Sequence, residues 1–421
     1  MPEVTMPATA TVDAGPIIEG TLKNIRQLKN APASIKMAGF AMTKLVEGRI
    51  DIRLPDGRTL RFEGKEEGPA SLLQINDYAG IKRVMDQGNI GFAEGFIAGE
   101  WETPDLPILL ESFTRNLDRM PRLMNGGPLW GAINALRHRF LNKNTKAGSA
   151  KNIYAHYDLG NRFYERWLDP SMTYSSAKFS HPGQSLADGQ TEKYKALADM
   201  IDLKPGMHVL EIGCGWGGFA EYAAKERGAR VTGITISKEQ HVFATKRLLD
   251  AGLSDRTEIK LVDYRDVEGS YDAVASIEMF EAVGEAYWPS YFDKVHSVLK
   301  PGGKAGLQII TIDDRLFDDY RSRADFIQRY IFPGGMLPSV ERLKQEVARA
   351  GLVFHDMAAF GESYADTLAE WAVRFKDAWH DIAPLGFDEK FKRLWKFYLA
   401  YCEAGFRTKR IDVAQFSLVR T

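Results

Sequence analysis

The chain is poor in the features that mark several protein classes. Only two cysteines, Cys214 and Cys402, occur in 421 residues. That is too few for a disulfide framework and points to a reducing compartment. Neither sign of charge is in surplus: 55 Lys and Arg oppose 56 Asp and Glu, a formal net charge of −1. A dedicated nucleic-acid binder would carry a basic excess, so that class is disfavoured. No apolar run approaches the roughly 18 residues needed to span a bilayer. The N-terminus has no basic start followed by an apolar core, so no signal peptide is expected. No His/Cys/Asp/Glu set has metal-site spacing, and no structural metal is expected. What remains is a chain with 44% hydrophobic residues, long enough for two or three well-cored domains. A cytoplasmic protein is expected, with contact to a membrane left open.

The densest local signal is VLEIGCGWGGFAEYAAKERGARVTGITISKEQ, residues 209–240. A β-branched segment ends in Glu211, a turn containing Gly213, Gly215, Gly217 and Gly218 follows, and a helix starts at once. Glycines there permit positive φ and remove side chains, while free amides at the helix start face a ligand. The spacing is G-x-G-x-G-G rather than the dinucleotide G-x-G-x-x-G, and no Walker lysine follows. An acid before the turn suits a cationic amino-acid portion better than a pyrophosphate. LVDYRDV, 261–267, then ends a strand with Asp263 and Tyr264, placed to bond and flank an adenine. YDAVASIEMFEAVG and LKPGGKAGLQII supply two further strands. This order is that of a Rossmann-like class I S-adenosylmethionine (SAM)-dependent methyltransferase; a doubly wound sheet with packing glycines is the plainer alternative.

Around this core the chain is expected to divide into a mobile tail over 1–20, a smaller α+β domain over 21–120, a basic linker over 121–151 and the methyltransferase domain over 152–421. GRIDIRLPDGRTLRFEG alternates around Pro55-Asp56-Gly57, a hairpin pattern. GNIGFAEGFIAGEW, 88–101, reads as a glycine-rich apolar run that then turns helical. In the linker, Leu129, Trp130, Ile133, Leu136 and Phe140 fall at helical spacing amid arginines and lysines. Such a helix suits an anionic lipid surface or, equally, packing against the catalytic domain. The C-terminal part is dense in aromatics, among them Trp371, Phe375, Trp395, Tyr398 and Phe406. At helical spacing these read as core, or as the wall of a long apolar cavity.

Taken together, HYDLGNRFYERWLDPSMTYSSAKF, VLEIGCGWGGFAEYAA, VTGITISKEQ, MFEAVG, RYIFPGGMLPS and YCEAGFR resemble the cyclopropane-fatty-acid synthase family, including its mycolic-acid-modifying branch. The resemblance covers most of the chain, and it implies that 21–120 is a lipid-associated domain. It further implies methyl transfer from SAM to a cis double bond in an unsaturated membrane phospholipid, by a peripheral protein on the inner face of the membrane. A homodimer is implied as well. The chemistry demands a dry apolar chamber, oxygens near a carbocation and a base for the departing proton. In the family that base is a bound bicarbonate.

Carried over residue by residue, the bicarbonate cage matches in part. Its glutamate falls on Glu281 and its tyrosine on Tyr364, while Ser176 stands at the cysteine position and Gln308 at the histidine. Cys402, in YCEAGFR, is a catalytic candidate by resemblance. Addition to an unactivated alkene gives a thiolate no task, which favours a structural role. The same matching sets Glu211, Gly213, Gly215 and Gly217 at the cofactor turn and Thr235, Ser237 and Gln240 near the ribose and amino-acid portion. Asp263 and Tyr264 fall at the adenine, and Tyr174 with Ser175 over the site; Ser237 also reads as a helix N-cap. With the imidazole missing, a proton lost elsewhere would leave a methyl- or methylene-branched chain, with reduction by a partner oxidoreductase. A methyltransferase for a soluble small molecule and a lipid-binding protein with an inactive core are the competing readings.

Overall fold

The computed structural model describes residues 15–120 and 159–421. The chain divides into two compact units near residue 131. The basic helix expected around Leu129–Phe140 lies outside the described residues, as does the whole of 121–158.

The N-terminal unit is built on a five-stranded sheet. Its strands are β1 (Ile17–Glu19), β2 (Glu47–Arg53), β3 (Thr59–Glu63), β4 (Glu66–Ile75) and β5 (Trp101–Glu102), in the order β1-β3-β2-β4-β5. β2 and β3 form the expected antiparallel hairpin, with Arg53 opposite Thr59. Gly57 takes the positive φ that the turn needs, and the Asp56 carboxylate accepts from the Arg58 amide at 3.2 Å. Alternation then buries Ile50, Ile52 and Leu54 on one side. The glycine-rich run 88–101 differs from its expectation: it belongs to a helix that already starts at Tyr78 and ends at Ile97, kinked at Gly88. Gly91 is there for close packing, since a Cβ would lie 2.2 Å from the Arg83 carbonyl oxygen.

The C-terminal unit carries a seven-stranded sheet of β6 (His208–Ile212), β7 (Arg230–Thr235), β8 (Thr257–Leu261), β9 (Tyr271–Ile277), β10 (Leu299–Ile312), β11 (Leu352–Ala359) and β12 (Ile411–Arg420). The order is β11-β12-β10-β9-β6-β7-β8. β6 to β10 run parallel, and β12 pairs antiparallel with both β10 and β11. Helices cover both faces, so successive residues of β6 enter different cores. Val209 packs with Leu197 and Phe219, whereas Leu210 packs with Phe280 and Phe292. The strand order reverses beside β6, and the crevice at the C-terminal ends of β6 and β9 is where an open sheet of this kind binds ligands.

Two long helices, Gly361–Asp377 and Glu389–Arg407, add an aromatic layer. Trp371, Phe375, Trp395 and Phe397 are buried there. Phe163 sits among Phe375, Phe391 and Trp395 with ring centroids 5.1–6.3 Å apart. Among the described residues no helix is long and apolar enough to cross a membrane.

Candidate active site

The end of β6 builds one half of the site from backbone. Gly213, Gly215 and Gly217 all have positive φ, and Gly217 caps the helix Gly218–Glu226 in the left-handed region. The Gly213 and Cys214 amides donate to the Ile234 carbonyl at 3.0 and 2.9 Å, locking the turn onto β7. A Cβ on Gly213 would approach Met279 Cγ to 2.6 Å. Glu211 is buried in front of this turn, and its Oε2 has no hydrogen-bond partner. Burial pushes its carboxyl well above the ordinary value, against the pull of Arg247 and Lys193. A buried acceptor without a donor, beside a turn rich in glycine, fits the amino group of an S-adenosylmethionine.

The end of β7 continues this half. Thr235, Ser237 and Gln240 are all buried. Thr235 Oγ1 donates to Gln240 Oε1 at 2.8 Å, and Ser237 Oγ accepts from the Gln240 amide at 3.3 Å. Ser237 is therefore the N-cap of Lys238–Asp250. Beyond β8, Arg265 bonds both Asp263 oxygens, at 2.8 and 2.6 Å. Tyr264 is half-buried, with its ring 5.5 Å from Tyr291.

Side chains build the other half. Ser176, Gln308 and Tyr364, expected to gather around an external anion, converge on Glu278. Its Oε1 accepts from the Ser176 amide at 2.9 Å and from Gln308 Nε2 at 2.8 Å, and its Oε2 accepts from Tyr364 OH at 2.7 Å. Ser176 takes part through its backbone, because its hydroxyl donates to the Ala177 carbonyl. Gln415, opposite Gln308 across β10 and β12, donates to Gln308 Oε1 at 3.1 Å and fixes the amide. Glu281 lies outside this group. Its Oε1 accepts from the Ile310 amide at 2.6 Å, and its Oε2 is buried without a partner. Burial and the nearby Glu278 push its carboxyl up to about 8.

Lys193 stands behind the cluster, 0% exposed, donating to Ser175 Oγ at 2.7 Å. Burial pulls its ammonium down to about 7, against the pull of Glu278, Asp169 and Glu211. Sequence reading passed over both Lys193 and Glu278. Lys193 shares the buried stripe of its helix with Gln190, Tyr194 and Leu197, a charge inside an apolar period. Glu278 directly follows β9, at the strand end where ligands bind. Tyr174 donates to or accepts from Tyr398 OH at 2.8 Å and faces Trp371 at 5.3 Å. Cys402 is a free thiol held protonated, since burial and Asp325 push it up; that state is no nucleophile.

From the glycine turn a wall of mutually packed, mostly buried aromatic rings runs on. Trp216 lies 5.1 Å from Tyr164, Tyr164 5.3 Å from Tyr174, and Tyr174 5.3 Å from Trp371. Among the described residues no cluster suits a metal ion.

Comparison with known proteins identifies the family. Residues 144–416 match the family described as mycolic acid cyclopropane synthetase. The tuberculostearic acid methyltransferase of Mycobacterium tuberculosis is 39% identical over 349 residues, covering 80% of this chain and 81% of that protein. The cyclopropane-fatty-acyl-phospholipid synthase of Escherichia coli K12 is 36% identical over 346 residues, 80% of this chain and 84% of its own. The crystal structure of the mycolic acid cyclopropane synthase CmaA1, complexed with SAH and CTAB, superposes with a TM-score of 0.60 at 28% identity, over 64% of this chain and 98% of that one. The fold is that of the class I methyltransferases, and the chain belongs to the mycolic acid cyclopropane synthetase family of SAM-dependent methyltransferases.

Proposed function

We propose that the protein methylates the cis double bond of an unsaturated acyl chain in a membrane phospholipid, with ring closure to a cyclopropane, while bound peripherally to the inner face of the membrane. The observation that carries this reading is the aromatic wall running from Trp216 through Tyr164 and Tyr174 to Trp371. An alkene has no proton to lose before attack, so it needs orientation and exclusion of water rather than an activating base. Faces of electron-rich rings suit both the apolar chain and the positive charge that develops along it.

SAM, when bound, supplies the electrophilic methyl of a sulfonium. Glu211 would take its amino group, and the turn Gly213–Gly217 lets the backbone approach it. Thr235, Ser237 and Gln240 would meet the ribose and amino-acid portion, and Tyr264 the adenine, with Asp263 held at its side by Arg265. Tyr174 and Ser175 would close the chamber. Glu281, uncharged at neutral pH by virtue of its raised carboxyl, and Tyr364 would line the acceptor side. Cys402 would serve packing.

Radiolabelled SAM incubated with vesicles of a monounsaturated phosphatidylethanolamine tests the reading. Label should enter the fatty acids released by saponification, with a mass gain of one CH2 and loss of the olefinic signal. Label confined to a water-soluble product would refute it.

A further inference from the structure

Bicarbonate, implied by the family resemblance, does not fit the site that the chain builds. The groups expected to hold it are spent on Glu278, whose carboxylate accepts from Ser176 N, Gln308 Nε2 and Tyr364 OH at 2.9, 2.8 and 2.7 Å. Carboxylate and bicarbonate present the same planar anionic edge to donors. A second anion would have to compete with the Glu278 carboxylate for this set. It would also meet the Glu278 carboxylate as a like charge.

The backbone carries an independent sign. Glu278 has φ +51°, in the left-handed region. For a residue other than glycine this conformation is strained, and such strain persists only where the surroundings over-determine it. Four segments do so here: the loop before Ala177, β9, β10 and the helix Gly361–Asp377. The Glu278 amide itself donates to the Gln308 carbonyl at 2.8 Å. Despite these ties the residue is only partly covered. Its anchor Tyr364 packs on Trp371 of the aromatic wall, with ring centroids 6.2 Å apart.

We propose that Glu278 is the proton acceptor of the reaction, a tethered carboxylate in place of an exchangeable bicarbonate ion. This rests on the acyl-methylation reading above. The alkene π pair forms the new C–C bond while the sulfonium S–CH3 bond breaks, its electrons staying on sulfur. The neighbouring carbon becomes cationic. A C–H bond of the new methyl then breaks, its pair closes the third ring bond, and the proton passes to Glu278. Three of roughly four acceptor directions on the carboxylate are occupied, which leaves one on Oε2. Burial pushes the carboxyl up from its ordinary value, which favours capture of the proton. Lys193, Tyr364, Ser176 and Gln308 pull the other way and keep the anion available. The proton returns to solvent before the next turnover.

Glu278→Gly is the decisive variant, because glycine takes this φ without strain and vacates the cage. In bicarbonate-depleted buffer the wild type should keep its rate within two-fold. Glu278→Gly should lose roughly 100-fold or more, the ordinary share of a general base. Added bicarbonate or formate should restore it saturably, while SAM affinity by calorimetry stays within about three-fold as the folding control. A wild type that slows on bicarbonate depletion, or a variant as fast as wild type without added anion, overturns the proposal. Binding of 13C-bicarbonate followed by NMR separates this from failure of the substrate reading, because it needs no turnover. The variant should bind the ion and the wild type should not, whatever the lipid substrate is; the reverse pattern overturns the proposal. Glu278→Gln should be as slow as the glycine variant and remain unrescued by either anion.

Discussion

The two halves of the site are made by opposite means. The cofactor half is almost entirely backbone and local sequence: a strand end, a turn with three positive-φ glycines and a helix start fall within Glu211–Gly218. The acceptor half is almost entirely side chains brought from afar. Ser176, Gln308 and Tyr364 lie 102, 30 and 86 residues from the Glu278 they bond. A turn of the first kind recognises what all SAM-dependent enzymes share, and its geometry survives exchange of its surroundings. A cluster of the second kind depends on the whole fold holding three segments to within tenths of an ångström. That dependence makes it the place where one family member can differ from another in chemistry without losing the cofactor.

The largest blow to this arrangement should come from Lys193→Met. The ammonium is the buried cation shared by Glu278, Glu211 and Asp169, so its removal leaves buried carboxylates uncompensated. Breaking such a set costs about 3–5 kcal/mol, to be read from urea unfolding. The pH dependence has a definite sign. A lysine lowered to about 7 binds fewer protons folded than unfolded between pH 7 and its ordinary value near 10.5. Its linkage contribution to wild-type stability is therefore present at high pH and lost as pH falls through about 7. In the variant, Glu278 rises further and loses stability as pH climbs. The deficit of the variant should thus widen from pH 7 to 9; a deficit that is flat with pH would show that Lys193 does not release its proton in this range.

The same contrast explains what could be read from the chain. Glycine spacing, the acid before the turn and the strand that follows are adjacent in sequence, and the sheet and cofactor turn were legible from them. The hairpin around Asp56-Gly57 was legible for the same reason. Ser176, Gln308 and Tyr364 could be nominated through family resemblance, yet the carboxylate they meet is Glu278 rather than Glu281. Three residues apart at one strand end, the two acids differ by a backbone rotation into positive φ, and no residue pattern announces that for a glutamate. The aromatic periodicity of 371–406 marked helices; which ring faces the cofactor turn depends on Phe163, Tyr164 and Trp167 arriving from the start of the domain. The run 88–101 was misplaced because its glycines are there to let Arg83 and Trp101 come close, not to end a loop.

Tyr364→Phe should have an intermediate effect confined to the acceptor half. The lost bond, from a hydroxyl to a carboxylate at 2.7 Å, is worth roughly 1.5–3 kcal/mol for a charged acceptor, or about ten- to a hundred-fold in turnover. Because Tyr364 pulls the Glu278 carboxyl down, its removal should move the acid limb of the kcat profile to higher pH. SAM affinity should not change. A loss of SAM affinity with an unmoved profile would mean that Tyr364 braces the domain rather than the carboxylate.

The smallest effect is the most informative about whether the halves are separable. They meet where Gly213 leaves room for Met279, the neighbour of Glu278: a Cβ on Gly213 would stand 2.6 Å from Met279 Cγ and 2.8 Å from its Cβ. Gly213→Ala should weaken SAM binding by roughly ten-fold, since a left-handed φ costs an alanine about 1–2 kcal/mol and the methionine must also shift. Met279→Ala alone should leave SAM affinity near wild type. In the double variant the clash is gone and only the backbone strain remains, so part of the lost affinity should return. If the two changes are instead strictly additive in calorimetry, Met279 does not press on the turn. If turnover at saturating SAM falls in Gly213→Ala along with affinity, the displaced methionine has carried the disturbance into the Glu278 cluster, and the two halves act as one unit.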